Sequence, residues 1–251
     1  MINLQDVSLK FRLRGYAATG LKELCMRIIS PPEWQKKIVK TENEFWALQG
    51  INLDIQEGDR LGILGNNGAG KSTLLKVITH IYRPTKGMVT TQGRIASMIE
   101  IGSGFHPELT GRENVFLNAA ITGIPKSEIE KRYEAIVDFA GIRDFMDMPV
   151  KYYSTGMYLR LAFTMATEIA PDTLILDELY AGGDIAFVKQ ATERLENFIK
   201  SCKVLVLVAH NTDYILKFCN RVIVLEQGRI IHAGPPEESV TVYRRMNGLD
   251  A

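Results

Sequence analysis

Gly65-Asn66-Asn67-Gly68-Ala69-Gly70-Lys71-Ser72 is a complete G-x-x-x-x-G-K-[ST] segment, and its flanks are those its mechanism needs. Upstream, Arg60-Leu61-Gly62-Ile63-Leu64 is a short apolar run that reads as a buried strand. Downstream, Ser72 to Ile78 carries the apolar spacing of a helix. In such a strand–loop–helix unit Gly65, Gly68 and Gly70 let the backbone, through Asn66, Asn67 and Ala69, turn its N–H groups inward around phosphates. The dipole at the helix start assists. Lys71 would reach the β- and γ-phosphates and Ser72 would hold Mg²⁺, with Thr73 closing the nucleotide-binding set. A chance glycine-rich turn has no reason to place strand, loop and helix in register. The pattern predicts a bound nucleoside triphosphate.

The rest of the composition fits a soluble α/β domain. The chain has 251 residues, 46% of them apolar, enough to bury a core. A formal charge of +1 argues against a general nucleic-acid surface. The opening Met1-Ile2-Asn3-Leu4-Gln5-Asp6-Val7 alternates like a strand, unlike a signal peptide. No apolar run approaches the ~20 residues that a membrane helix needs. Cys25, Cys202 and Cys219 show no metal-ligand spacing and read as reduced, partly buried thiols.

Two further strand ends carry chemistry. Thr173-Leu174-Ile175-Leu176-Asp177-Glu178 is an apolar strand ending in adjacent acids. In a phosphoryl-transfer site the first carboxylate supports Mg²⁺ and the second polarises the attacking water. Val204 to Ala209 is another buried run, and His210 closes it at the end where parallel sheets place ligands. His210 is thus a candidate γ-phosphate sensor beside the proposed base Glu178.

Between these strands lies Tyr153-Ser154-Thr155-Gly156-Met157, followed by a helical stretch from Tyr158 to Ala166. In this order of elements the chain resembles the ATP-binding cassette (ABC) ATPases over essentially its whole length. The family signature is usually Leu-Ser-Gly-Gly-Gln, of which Ser154 and Gly156 are kept. The resemblance implies an α/β P-loop core with N-terminal antiparallel strands and an inserted α-helical subdomain. It assigns residues 1–95 and 167–251 to the core and about 105–165 to the subdomain, entered through Leu109-Thr110-Gly111-Arg112-Glu113-Asn114-Val115. Ala96 to Gly102 lies where the family has a Gln-containing loop. Here Glu100 is the nearest match, and a carboxylate there would touch Mg²⁺ directly or through water. Ala181-Gly182-Gly183-Asp184 matches the turn that meets the partner subunit. The family works as a head-to-tail homodimer that buries ATP between the phosphate loop of one chain and Ser154, Thr155, Gly156 and Met157 of the other. An aromatic from the first strand pair stacks on adenine: Phe11 and Tyr16 are the candidates, with Phe45 and Trp46 as alternatives.

The departures resemble a subgroup, the ATPase subunits of bacterial polysaccharide exporters, which move lipid-linked O-antigen, capsule or teichoic acid. That likeness implies a separate integral-membrane permease as partner and a peripheral position on the cytoplasmic face of the inner membrane. One feature supports it independently. About thirty residues separate Val7–Phe11 from Phe45–Ile55, and within them Leu21, Leu24, Cys25, Ile28 and Ile29 form one apolar helix face, ended by Pro31-Pro32. This helix, at about 20–30, either docks on its own domain or faces the permease. The final strand is expected near Arg221–Leu225, followed by a helix to about Met246 and no segment long enough for a glycan-reading β-sandwich. A soluble ABC-type switch acting on nucleic acid or ribosomes is the competing class. Those relatives usually join two cassettes in one chain or insert long coiled coils, neither of which is seen here.

Overall fold

The computed structural model describes residues 1–13, 43–98, 102, 104–168, 171–177, 185–209 and 211–248. The expected helix at 20–30, Tyr16, Cys25, Glu100, Glu178, the Ala181–Asp184 turn and His210 lie outside the described residues. β1 (Ile2–Leu13) and β2 (Asn43–Ile55) form an antiparallel pair, and β4 (Lys86–Thr91) pairs with the other edge of β1. The alternation read at the N-terminus is real but changes phase. Ile2 and Leu4 are buried, then Val7 and Leu9, because the register slips around Asp6, whose φ is +47°. A bulge of this kind turns the second half of the strand so that both halves face the core.

The second sheet comprises β3 (Arg60–Gly65), β5 (Ile95–Ser97), β6 (Thr173–Asp177), β7 (Val204–Val208), β8 (Arg221–Glu226) and β9 (Arg229–Gly234). Its spatial order is β5-β6-β7-β3-β8-β9, parallel except for the last pair. The continuous apolar runs are those of strands covered on both faces. Val204, Val206 and Val208 face one core and Leu205 and Leu207 the other; Ile223 and Leu225 likewise oppose Val222 and Val224. The first core lies between the two sheets and receives Leu74, Leu75, Val77 and Ile78 of α1 (Lys71–Ile78), which starts one residue before the expected Ser72. The second core is covered by α5 (Ile185–Ser201), α6 (Thr212–Phe218) and α7 (Pro236–Met246). From these come Phe187, Ala191, Leu195, Phe198, Ile199, Ile215 and Val240.

The expectation that Arg221–Leu225 is the last strand is wrong. Gln227 and Gly228, at φ +46° and +76°, make a two-residue turn, and β9 returns antiparallel with Arg229 opposite Glu226. Positive φ at both central residues gives the twist that a tight hairpin requires. Gly228 also has no room for a side chain, since a Cβ would sit 2.5 Å from the Ala47 carbonyl.

A third core stands apart from the sheets. α2 (Gly111–Ile121), α3 (Lys126–Ala140) and α4 (Thr155–Ala166) bury Val115, Ala119, Ile129, Tyr133, Ile136, Val137, Leu161 and Met165 against one another. α2 begins with a capping box: Glu113 N donates to Thr110 Oγ1 at 3.1 Å, and Thr110 N donates to the Glu113 carboxylate at 2.8 Å. The Thr-x-x-Glu spacing carried that signal in the sequence. No helix among the described residues is long and apolar enough to cross a membrane.

Candidate active site

The phosphate loop leaves the C-terminal end of β3, which lies between β7 and β8 in the sheet, and enters α1. Ala69 N donates to Asn66 O at 3.0 Å and Leu74 N to Gly70 O at 2.8 Å, which closes the loop onto the helix. The Lys71 side chain is almost buried, its Nζ donating to the carbonyls of Gly65 at 2.6 Å and Asn66 at 3.1 Å. Backbone oxygens thus aim the ammonium at the loop's own hollow. From outside, Gly228 N donates to Ala69 O at 2.9 Å and Gln49 N to Gly228 O at 2.8 Å, so the β8–β9 turn clamps the loop to β2. Sequence reasoning missed this support; its signal was a glycine placed between two apolar runs.

An open cavity of about 360 Å³ lies over the loop, lined by Phe11, Phe45, Ala47, Asn67, Gly68, Gly70, Lys71, Ser72, Thr73 and Asp177. It brings together the loop, the carboxylate at the end of β6 and the aromatic end of the first strand pair. Ser72 is exposed and Asp177 half-buried, so both oxygens are open to a ligand. Phe11 sits opposite Phe45 in the β1–β2 register, and both border the cavity. Phe11 also packs edge-on against Tyr82 at 5.4 Å. Trp46 is the correction: strand alternation sends its ring away, where Lys10 and Lys86 ammonium groups lie 5.4 and 5.8 Å from its centroid. Glu178 follows Asp177 directly in the chain and His210 follows Val208 by two residues. Asp177 is the register partner of Val208, so β6 and β7 end at the same edge of the sheet.

The signature residues do not line this cavity. Ser154 is the N-cap of α4, its hydroxyl accepting from Met157 N at 3.2 Å, and Ser154 and Thr155 are exposed. The Thr155 and Gly156 N–H groups have no partner within a helix of this geometry. With no acidic residue in the first turn, the positive end of the helix dipole is uncompensated there. Met157 is turned inward against the helical core. Tyr153 fixes the approach to the cap: its hydroxyl donates to Phe145 O at 2.8 Å, and burial pushes its pKa up to about 12.

Comparison with known proteins agrees with this arrangement. A family model described as ABC transporter matches residues 48–181. The O-antigen export system ATP-binding protein RfbB of Klebsiella pneumoniae is 37% identical over 245 residues, spanning 98% of both chains. The teichoic acids export ATP-binding protein TagH of Lactiplantibacillus plantarum is 39% identical over 203 residues, 81% of this chain and 56% of that protein. In fold, the chain is similar to the post-hydrolysis dimeric ATP-binding cassette MJ0796 bound to ADP and Pi. The TM-score is 0.67 at 21% identity, over 94% of this chain and 99% of that one. With a phosphate loop, an opposing strand-end carboxylate and a capped signature helix on this fold, the chain belongs to the ABC transporter family, as an ATP-binding, ATP-hydrolysing subunit.

Proposed function

We propose that this chain powers the export of a lipid-linked surface polysaccharide, working as a homodimer on the cytoplasmic side of a separate membrane permease. The observation that carries the cargo class is end-to-end similarity to O-antigen export ATPases, 98% of each chain. In this reading residues 1–95 and 167–251 form the nucleotide-binding core and about 105–165 the helical subdomain, consistent with the separate packing of α2, α3 and α4.

The residues divide the work. The loop N–H groups and Lys71 hold the triphosphate; Phe11, or Tyr16, stacks on the base. Ser72 and Asp177 share one cavity wall and offer hard oxygen donors, a set that fits Mg²⁺, with Glu100 as a further ligand. Bound there, the ion would neutralise charge on the phosphates. Glu178 takes the proton of the attacking water, and His210 contacts the γ-phosphate. Ser154, Thr155, Gly156 and Met157 of the second protomer complete the site, because the exposed helix start supplies donors to a γ-phosphate only when two chains close. ATP therefore binds the closed pair better than the open one, and hydrolysis removes that preference.

The test is made in cells. Replacing the chain by Lys71→Ala should abolish surface polysaccharide while lipid-linked glycan accumulates on the inner side. Normal surface glycan with undiminished cell viability and confirmed loss of ATP binding would overturn the export assignment.

A further inference from the structure

The hydroxyl of Tyr158 donates to the Gly102 carbonyl at 2.9 Å, and its ring meets Phe105 edge-on at 5.5 Å. Tyr158 lies one turn beyond Ser154, on the helix whose start carries the signature. Gly102 belongs to the segment that leaves β5. That segment is tied to the sheet where Met98 N donates to Ile175 O at 2.9 Å, two residues before Asp177. Gly102 has φ +85°, and a Cβ there would lie 2.7 Å from the Tyr158 ring and hydroxyl. The contact therefore requires this residue pair. A larger side chain at 102 would push the tyrosine away.

The other end of α4 is anchored separately. Arg194 of α5 donates to Thr167 Oγ1 at 2.8 Å and to the Glu168 carboxylate at 2.8 Å, and Phe163 packs against Phe187. A 12-residue helix is about 18 Å long at ~1.5 Å per residue. Tyr153 and Met157 hold the N-terminal end only to the helical core. Pinned to the sheet side at its C-terminal end alone, a tilt of about 10° would displace the N-terminal end by roughly 3 Å, beyond hydrogen-bond tolerance.

We infer that Tyr158 is a positioning residue: its hydrogen bond to Gly102 holds the signature end of α4 at the angle needed to meet a second protomer's nucleotide. It does so through the same segment that borders the chain's own Asp177 strand. The inference rests on the paired-site reading above. Tyr158 does not line the phosphate-loop cavity.

The experiment uses the full chain carrying Glu178→Gln, so that bound ATP persists, with and without Tyr158→Phe. Phe keeps the ring and removes only the hydroxyl. ATP-dependent pairing is followed by sedimentation velocity across protein concentration, and nucleotide binding by the protomer through its ATP-dependent melting shift. Tyr158→Phe should weaken pairing about 3- to 10-fold, the range for one net hydrogen bond, and leave the protomer's melting shift unchanged. Gly102→Ala should weaken pairing by at least as much. Unchanged pairing in both variants overturns the inference. So does a fall in the protomer's own melting temperature or ATP shift large enough to account for the pairing loss, since the contact would then serve folding or binding. If the Glu178→Gln parent itself fails to pair with ATP, the paired-site reading falls and the inference with it, a result distinct from the failure of Tyr158 alone.

Discussion

Arg194→Ala should be the most damaging single charge deletion on the face where the helical core meets the sheet, and its cost can be worked out contact by contact. The guanidinium reaches the Glu168 carboxylate at 2.8 Å, Thr167 Oγ1 at 2.8 Å and Thr167 O at 3.3 Å, and lies 4.3 Å from the Phe139 ring centroid. Glu168 is only 10% exposed and Thr167 is buried. A charge-assisted hydrogen bond in such a place contributes about 2 kcal/mol, the bond to the threonine about 1. The cation–π contact adds about 1 kcal/mol. Arg132, at 3.4 Å, still faces Glu168, so the carboxylate is not left wholly unpaired. The sum is about 4 kcal/mol, which for a chain of this length lowers Tm by roughly 8–16 °C.

Arg143→Ala is the control. Arg143 holds two carboxylates at shorter distances, Asp138 at 2.6 Å and Glu134 at 2.7 Å, and the hydrogen bond to Asp138 raises its proton affinity further. Yet its partners are 69% and 68% exposed, and water screens such pairs almost completely. Calorimetric melting without nucleotide should therefore show a large drop for Arg194→Ala and no resolved change for Arg143→Ala. Equal shifts, or an Arg194→Ala melt matching the parent, would refute the ranking by burial and return it to distance.

Lys71→Ala should abolish stabilisation by Mg·ATP, which is about 2.7 kcal/mol when ligand stands 100-fold above its dissociation constant; an unchanged ATP-dependent melting shift would remove the phosphate-loop assignment. Glu178→Gln should bind ATP and lose turnover by ~10²–10⁴-fold, the usual scale of a general base, as phosphate release assays would show. Full turnover in that variant sinks the assignment. Cys219 should resist maleimide at pH 8 in the folded protein and react after unfolding, because burial pushes its thiol up to about 12; rapid native labelling, located by peptide mass mapping, would contradict its packing against Gly62.

Local chemistry explains which features were legible. The phosphate loop, the β3 and β6 strands and the cap of α4 each depend on residues close in sequence, so eight residues of loop or four of cap declare themselves. The same holds for the buried strands, whose apolar runs need no partner to be recognised. What escaped depends on distant partners or on a single shift of phase. The bulge at Asp6 leaves composition untouched while changing which residues face inward. Choosing Phe45 over Trp46 needs the register with β1, which no local pattern contains. Tyr158 and Gly102 are 56 positions apart, and Arg194 and Glu168 are 26 apart. Gln227-Gly228 was nearest to being readable, since the glycine sits between two apolar runs, but Gln is not among the residues that announce such a turn.

Strand order supplies the remaining part of the site, and it too is invisible locally. The phosphate loop ends β3 and Asp177 ends β6, with β7 between them. Strands lie ~4.8 Å apart, so two spacings leave roughly 10 Å between the loop's strand and the carboxylate's strand. A gap of that size would leave room for a cation between the phosphates and the carboxylate, as the proposed role of Asp177 requires. Were β6 adjacent to β3, Asp177 would crowd the phosphates directly and repel them. The intervening β7 is wholly apolar through Val208. In the proposed reading, spacing by one strand would let the carboxylate act at one remove from the phosphates, across a cation held between them.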